Sequence, residues 1–261
     1  MHKTLTFRNL LLAQLCAFAP WWQFFFLPLI IFSLTGCNRK GSNEASRPEY
    51  GDNSKLFTLL SPGKTGIDFA NNVVDGEKFN IFTYRNYYNG AGVAIGDINN
   101  DSLPDIYFTA NQEKNKLYLN KGDFVFEDIT DKAGVGGKMA WSTGVTMADV
   151  NGDGFLDIYV CNAGDVDPKE RENELFINNG DLTFTEKAKE YNLNNNGLSI
   201  HSAFFDYDMD GDLDCYILNN FFTNPSKIEL YKKVREGSVV PGDKLMRNDG
   251  NTFHDVTAEA G

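Results

Sequence analysis

A chain of 261 residues, 42% hydrophobic and 13% aromatic, is long enough for one large all-β domain or two small domains. Its formal charge of -12 and pI near 4.7 exclude a nucleic-acid footprint, because such a surface needs clustered Lys and Arg to displace phosphate counterions. The acidity is uneven: residues 1–36 contain Lys3, Arg8 and no acid, whereas eleven acids crowd into three short loops further on.

The chain opens on a basic stretch, Met1 to Asn9, followed by an uncharged apolar run from Leu10 to Gly36. That run ends in Leu34-Thr35-Gly36-Cys37, which resembles the lipobox of bacterial lipoproteins. The resemblance implies a signal peptide over 1–36, cleavage before Cys37, and lipid on the Cys37 thiol and new amino group. Several acyl chains hold a domain stably at a membrane, since each buried methylene contributes about 0.8 kcal/mol. The expected location is the bacterial cell envelope, exported and lipid-anchored at the outer membrane. An uncleaved transmembrane anchor is the alternative, because the uncharged run exceeds the roughly 20 residues that span a bilayer; Pro20, Pro28 and the lipobox favour the lipoprotein.

Residues 37–54 are polar, with Gly41, Ser42, Ser46 and Pro48, and read as a flexible tether. The domain proper is expected over 55–261. Phe57–Ile67 resembles the end of one of the repeats described next and is expected to give an outer strand to a later sheet. Ser61-Pro62-Gly63-Lys64-Thr65 is not a phosphate loop, since its first glycine position falls at Thr58.

Three segments align without gaps: Ala94–Asn111, Thr146–Ala163 and Ala203–Asn220. Each holds an apolar stretch, an acidic loop and a second apolar stretch rich in Ile, Tyr, Val and Phe. Each is followed by a hairpin pattern, over Asn115–Val135, Asn173–Leu193 and Asp243–Gly261, with turn residues between short strands. Four strands per repeat of 50-odd residues is the signature of a propeller blade. The fold expected is all-β, a propeller with four-stranded blades near 91–135, 143–193 and 201–261. With three acidic blades and an N-terminal strand it is incomplete, and the chain reads as the N-terminal piece of a longer protein. A short helix is expected over Pro225–Gly237.

The loops carry the chemistry. Oxygen-bearing side chains at positions 1, 3, 5 and 9, with a main-chain carbonyl at 7, offer a hard cation five oxygens on one turn, which suits calcium. Loop 1 places Asp97, Asn99, Asp101, Leu103 and Asp105 at these positions; loop 2 places Asp149, Asn151, Asp153, Phe155 and Asp157. Loop 3 has Asp206, Asp208, Asp210, Asp212 and Asp214, adding a carboxylate at position 7. Gly154 and Gly211 at position 6 permit a sharp turn at positive φ. Ser102 replaces that glycine in loop 1, which is therefore expected to be the weakest site. The loops are not EF-hands, because position 12 is Phe108, Val160 or Ile217 where an EF-hand needs Glu. The expected affinity is that of extracellular modules, roughly 0.1–1 mM.

The loops and their flanking strands resemble the FG-GAP/VCBS repeats of integrin-α-type propellers. The Asn-x-Leu-Tyr-x-Asn-x-Gly hairpin followed by Phe-x-Asp-Ile-Thr-x-x-Ala-Gly, at Asn115–Gly134, is similar to bacterial ASPIC/UnbV-related proteins and to the cartilage acidic protein group. The resemblance covers about Lys55 to Gly261. It implies calcium that stiffens the blades and a recognition or adhesion role toward a glycan or protein.

No enzyme is expected. His2, His201 and His254 are isolated, no Gly-x-Ser-x-Gly pattern occurs, and the paired acids are committed to the loops. The other reading is an accessory propeller of a larger enzyme whose catalytic domain lies beyond residue 261. Tyr84, Tyr87, Tyr88 and Trp141 would suit sugar stacking if exposed, or core packing if buried. Cys161 and Cys215, in strand patterns, read as small buried hydrophobes, and His201 as a strand histidine satisfied by packing or a neighbour.

Overall fold

The computed structural model describes residues 57–261 apart from 78, 83, 139–140, 165–168 and 221–241. The signal segment, Cys37, the tether and the helix expected over 225–237 lie outside the described residues. The chain divides into two compact units, Met1–Thr58 and Leu59–Gly261, and the strands below belong to the second.

Twelve described strands form three antiparallel sheets of four, each in simple chain order. Blade 1 contains β1 (Val93–Gly96), β2 (Asp105–Phe108), β3 (Lys116–Asn120) and β4 (Phe126–Asp128). Blade 2 contains β5 (Ser142–Ala148), β6 (Asp157–Asn162), β7 (Glu174–Asn178) and β8 (Phe184–Glu186). Blade 3 contains β9 (Ser199–Phe205), β10 (Asp214–Asn219), β11 (Lys244–Asn248) and β12 (Phe253–Asp255). Strands this short, rich in β-branched and aromatic residues, are stable when both faces are covered. The architecture is all-β, three four-stranded antiparallel sheets of propeller-blade type. Among the described residues no helix is long and apolar enough to cross a membrane.

The core lies between the blades. Tyr107, Leu117 and Leu119 of blade 1 meet Val145, Ile158, Val160 and Phe176 of blade 2. On the opposite face of blade 2, Tyr159, Cys161, Leu175 and Ile177 meet Cys215, Ile217, Met246 and Phe253 of blade 3. β6 is therefore buried along its whole length, serving both interfaces with alternate side chains. Each such aliphatic or aromatic side chain contributes about 1.5–3 kcal/mol on burial. Cys161 and Cys215 are free and buried in this core, as their strand positions imply.

Each blade is tied to the next by its tail. After β4 comes a helical turn, α2 (Thr130–Ala133), closed by Gly134 in the left-handed conformation. The Tyr107 hydroxyl donates to the Val135 carbonyl at 2.6 Å, and Tyr159 repeats the bond to Leu193 at 2.8 Å. The tail of blade 2 then meets the outer strand of blade 3, where Phe253 N–H donates to the Tyr191 carbonyl. A similar turn, α3 (Thr257–Ala260), follows β12.

The outer strand expected from Phe57–Ile67 is not formed. Pro62 sits in the first turn of α1 (Pro62–Thr65), and Gly66 closes it at φ 75°, as Gly134 closes α2. Proline is pre-set for a helix start and removes a ladder donor, so this segment copies the tail that follows a blade's last strand. It docks beside Phe126 of β4, where a Cβ on Gly66 would overlap the Phe126 carbonyl.

Tyr84, Tyr87 and Trp141 are core residues, at most 3% exposed, so they present no open stacking platform. With Phe79 and Ala163 they form a third cluster beneath the segment preceding β1. Tyr88 is 60% exposed and its hydroxyl donates to Asp75. His201 departs from its expected packing: it is exposed on β9, with Nδ1 close to Gly144.

Candidate metal centre

Every acidic loop is the connection between the first two strands of its blade, so all three occupy the same place in the repeat. Within loop 2, Asp149 Oδ1 accepts from Asp153 N–H at 3.0 Å and Oδ2 accepts from Gly154 N–H at 2.9 Å. Asp97 in loop 1 accepts from Asp101 and Ser102 N–H, and Asp206 in loop 3 from Asp210 and Gly211 N–H. The carboxylate at position 1 therefore ties the whole turn together.

Two positions in each turn are left-handed. Position 6 has φ of 68° at Ser102, 89° at Gly154 and 99° at Gly211. Position 4 has φ of 60° at Asn100, 73° at Gly152 and 64° at Met209, a feature the ligand spacing alone did not reveal. Gly152 and Asn100, residue types tolerant of that region, were its signal in the sequence. Loop 1 thus has the same geometry as the others, with Ser102 carrying the strain of a Cβ there.

The third positions differ in chemistry. Asn151 Nδ2 donates to Asp153 Oδ2 at 2.8 Å, and Asn99 does the same to Asp101 at 3.0 Å. Asp208 in loop 3 has no such donor. Oxygens of Asp206, Asp208 and Asp210 lie within 4.8 Å of one another, all three residues being exposed. Loss of solvation and the neighbouring Asp210, Asp214 and Asp206 charges raise the Asp208 pKa. Asp212, at position 7, has its pKa raised by burial and then by Asp210.

Position 9 does more than face the loop. Asp105, Asp157 and Asp214 are fully buried. Asp157 Oδ2 accepts from Val150 N–H at 2.9 Å and Oδ1 from Asn178 N–H at 2.8 Å, at the end of β7. Asp105 and Asp214 repeat this pair with Ile98 and Asn120, and with Tyr207 and Asn248. Burial, opposed by these two bonds, pushes the Asp157 carboxyl up to about 6. Each oxygen retains a second lone pair with which it could reach a cation.

Loops 1 and 2 also touch each other. Asn100 Nδ2 donates to the Gly154 carbonyl at 3.0 Å, and Asn178 Nδ2 donates to the Ile98 carbonyl at 2.8 Å. In loop 3 positions 1, 3 and 5 come together as one oxygen cluster, while in all three loops position 9 anchors the turn to the sheet. It contains no paired acid and base aimed at a common reacting atom.

Residues 97–160 match the model of the FG-GAP-like repeat family, from the first residue of loop 1 into β6. Among curated proteins the chain is similar to cartilage acidic protein 1 of Xenopus tropicalis, 29% identical over 155 residues, which cover 59% of this chain and 23% of that protein. The human cartilage acidic protein 1 is 28% identical over 178 residues, covering 66% of this chain and 26% of that protein. The chain thus spans about a quarter of the length of these relatives. That match is centred on loops 1 and 2, and the same strand, acidic loop and strand are built three times over, so residues 97–160 are similar to an FG-GAP-like repeat and the third blade repeats their plan.

Proposed function

We propose that this chain is a non-catalytic, calcium-binding recognition module, held at the bacterial cell envelope by lipid on Cys37 and directed at a glycan or protein ligand. The observation that carries the calcium reading is the Asp206, Asp208 and Asp210 cluster. Three carboxylates this close repel by roughly 1 kcal/mol per pair in water and several times more where solvent is partly excluded. A divalent cation reverses the sign of that interaction, and hard oxygens on a tight turn match calcium. Supporting it, three loops share one backbone path. Calcium would supply rigidity: it would fix the turn between the first two strands of each blade and so stiffen the face those turns form.

Thermal unfolding of the full chain with calcium and with chelator tests this. A ligand that binds only the folded state adds about 2.7 kcal/mol per site at a hundredfold excess over Kd. The melt should rise with calcium, and the triple change Asp206→Asn, Asp208→Asn, Asp210→Asn should remove the largest share of the rise. Identical melts in calcium and chelator would remove the metal reading. The anchor has its own test: Cys37→Ala should abolish incorporation of labelled palmitate and release the protein from membranes.

A further inference from the structure

Blades 1 and 2 each present one face to the blade that follows. Tyr107 and Leu117, partners across β2 and β3, belong to the core shared by blades 1 and 2, and Tyr159 and Leu175 to the core shared by blades 2 and 3. Blade 3 builds the same face with Tyr216 and Leu245, but Tyr216 is 37% exposed where Tyr107 and Tyr159 are at most 1%. Phe205 and Leu218 extend this exposed face, at the positions where Ala148 and Cys161 pack in the second core. Blade 1 leaves the opposite face open. Val93 and Ile95 are 54% and 65% exposed, whereas Val145 and Met147 at those positions pack in the first core. We propose that these two open faces dock on each other between two copies of this chain, blade 3 of each against blade 1 of the other, closing a two-fold ring.

Three observations select a second copy as the occupant. First, the contact continues an interface that the chain already makes twice. Leu218 and Ile95 would meet as Cys161 and Phe204 do across the second seam, and an apolar row left in water marks a docking surface. Second, the chain carries a tail whose own blade is not among the described strands. α1 and Gly66 repeat α2 and Gly134, with φ of 75° and 77° at the two glycines. A Cβ on Gly66 would meet the Phe126 carbonyl oxygen of β4, and one on Gly134 the Phe184 carbonyl oxygen of β8. Ile67 is then the counterpart of Val135 and Leu193, whose carbonyls accept from Tyr107 and Tyr159. The Tyr216 hydroxyl donates instead to Asp243; in the ring it would reach the Ile67 carbonyl of the second copy.

Third, charge and number agree. Arg247 stands on the blade 3 face where Leu119 and Ile177 stand on the other two. Ile177 shares the second core with Met246, and the same relation sets Arg247 against Tyr118, whose hydroxyl donates to Asp68. An acid therefore lies where this guanidinium arrives. Three blades from each copy make six, inside the range of about four to eight over which propellers close. A head-to-tail contact whose rotation closes gives a finite ring and not a filament. His201, at the position where Gly92 and Gly144 let backbones touch, widens the new seam at one end and makes it the seam at which the ring opens.

Sedimentation velocity of the full chain in detergent, with the bound detergent subtracted, tests the ring. The expected particle holds two chains. Leu218→Arg and Ile95→Glu each set a charge against an apolar partner, and each should leave single chains at loadings where the parent is paired. Both positions are exposed in the single chain, so strand content by circular dichroism should match the parent. An equimolar mixture of the two variants should pair again, because one seam is then unaltered and the other brings two new charges of opposite sign together. A parent that sediments as single chains at every loading, pairing that survives either single variant, or a mixture that stays single would each overturn the inference.

Discussion

Ser102 and Gly154 occupy the same left-handed corner with and without a Cβ. A non-glycine residue there costs about 1–2 kcal/mol, partly offset because glycine loosens the unfolded chain. Nothing lies within 4 Å of a Cβ built on Gly154, so the cost of adding one is conformational and not steric. Gly154→Ser should therefore destabilise the chelated protein by about 1 kcal/mol. Ser102→Gly, the same change in reverse, should stabilise the chelated protein by about the same amount and tighten calcium at loop 1. Denaturant melts in chelator measure the first effect, and a calcium titration the second; a Gly154→Ser protein as stable as its parent would show the turn to be unstrained. The spacing of acids at positions 1, 3, 5 and 9 was legible in the sequence because it is local. What position 9 does was not. Asp157 is buried by β7, whose Asn178 donor lies 21 residues downstream, and no local pattern announces which strand will cross there.

At the level of elements, strands were legible wherever an apolar run met an acidic or Asn-Gly turn, which is why each hairpin lies where its pattern put it. Phe57–Ile67 misled because its likeness to a blade's end extends to the tail, while Pro62 forbids the strand. The third strands carry a further contrast that alignment alone does not explain. Lys116 and Lys244 pair with Asp128 and Asp255, at 2.7 and 2.6 Å, but blade 2 has Glu174 at that position and Glu186 opposite. Glu186 is reused: its Oε1 accepts from Leu175 and Ala188 N–H, a task Thr130 and Asp128 share in blade 1. Glu174 is left 2% exposed, accepting from Asn162 Nδ2 and Lys138 N–H at 3.3 Å. Burial raises its carboxyl pKa above the unfolded value. The folded state therefore holds this proton more tightly, so its stabilising effect is present at low pH and lost as pH rises through the folded pKa. Glu174→Gln keeps an acceptor and abolishes the charge. It should melt above the parent at neutral pH, with the gap closing as pH falls toward the ordinary glutamate range near 4.3; a gap that is constant with pH would mean that burial does not raise the Glu174 pKa.

The whole molecule depends on how closely one blade's first strand approaches the next. A Cβ on Gly92 would lie 2.7 Å from the Thr143 carbonyl oxygen and 3.0 Å from Gly144 Cα. Gly144 in turn faces blade 3, where a Cβ would overlap the Ile200 carbonyl and come within 2.8 Å of His201 Cα. These neighbours are backbone, which cannot swing aside as a side chain can. The close approach lets hydroxyls bridge the seams: Thr109 Oγ1 donates to the Thr143 carbonyl at 2.5 Å, and Thr143 Oγ1 to the Ser199 carbonyl at 2.7 Å. If the seam sets the spacing of the blades, Gly144→Ala must either spread blades 2 and 3 or strain β5. Such overpacking costs about 1–3 kcal/mol, and here it falls on an interface that includes Cys161, Leu175, Cys215 and Phe253. Gly63→Ala is the matched control, since a Cβ at Gly63 in α1 has open space and alanine favours a helix. Urea unfolding followed by fluorescence and by circular dichroism should show Gly63→Ala unchanged or slightly stabilised, and Gly144→Ala destabilised. Were the two substitutions equivalent, the blades would tolerate separation at the seam, and cohesion would have to come from their tails and outer strands instead.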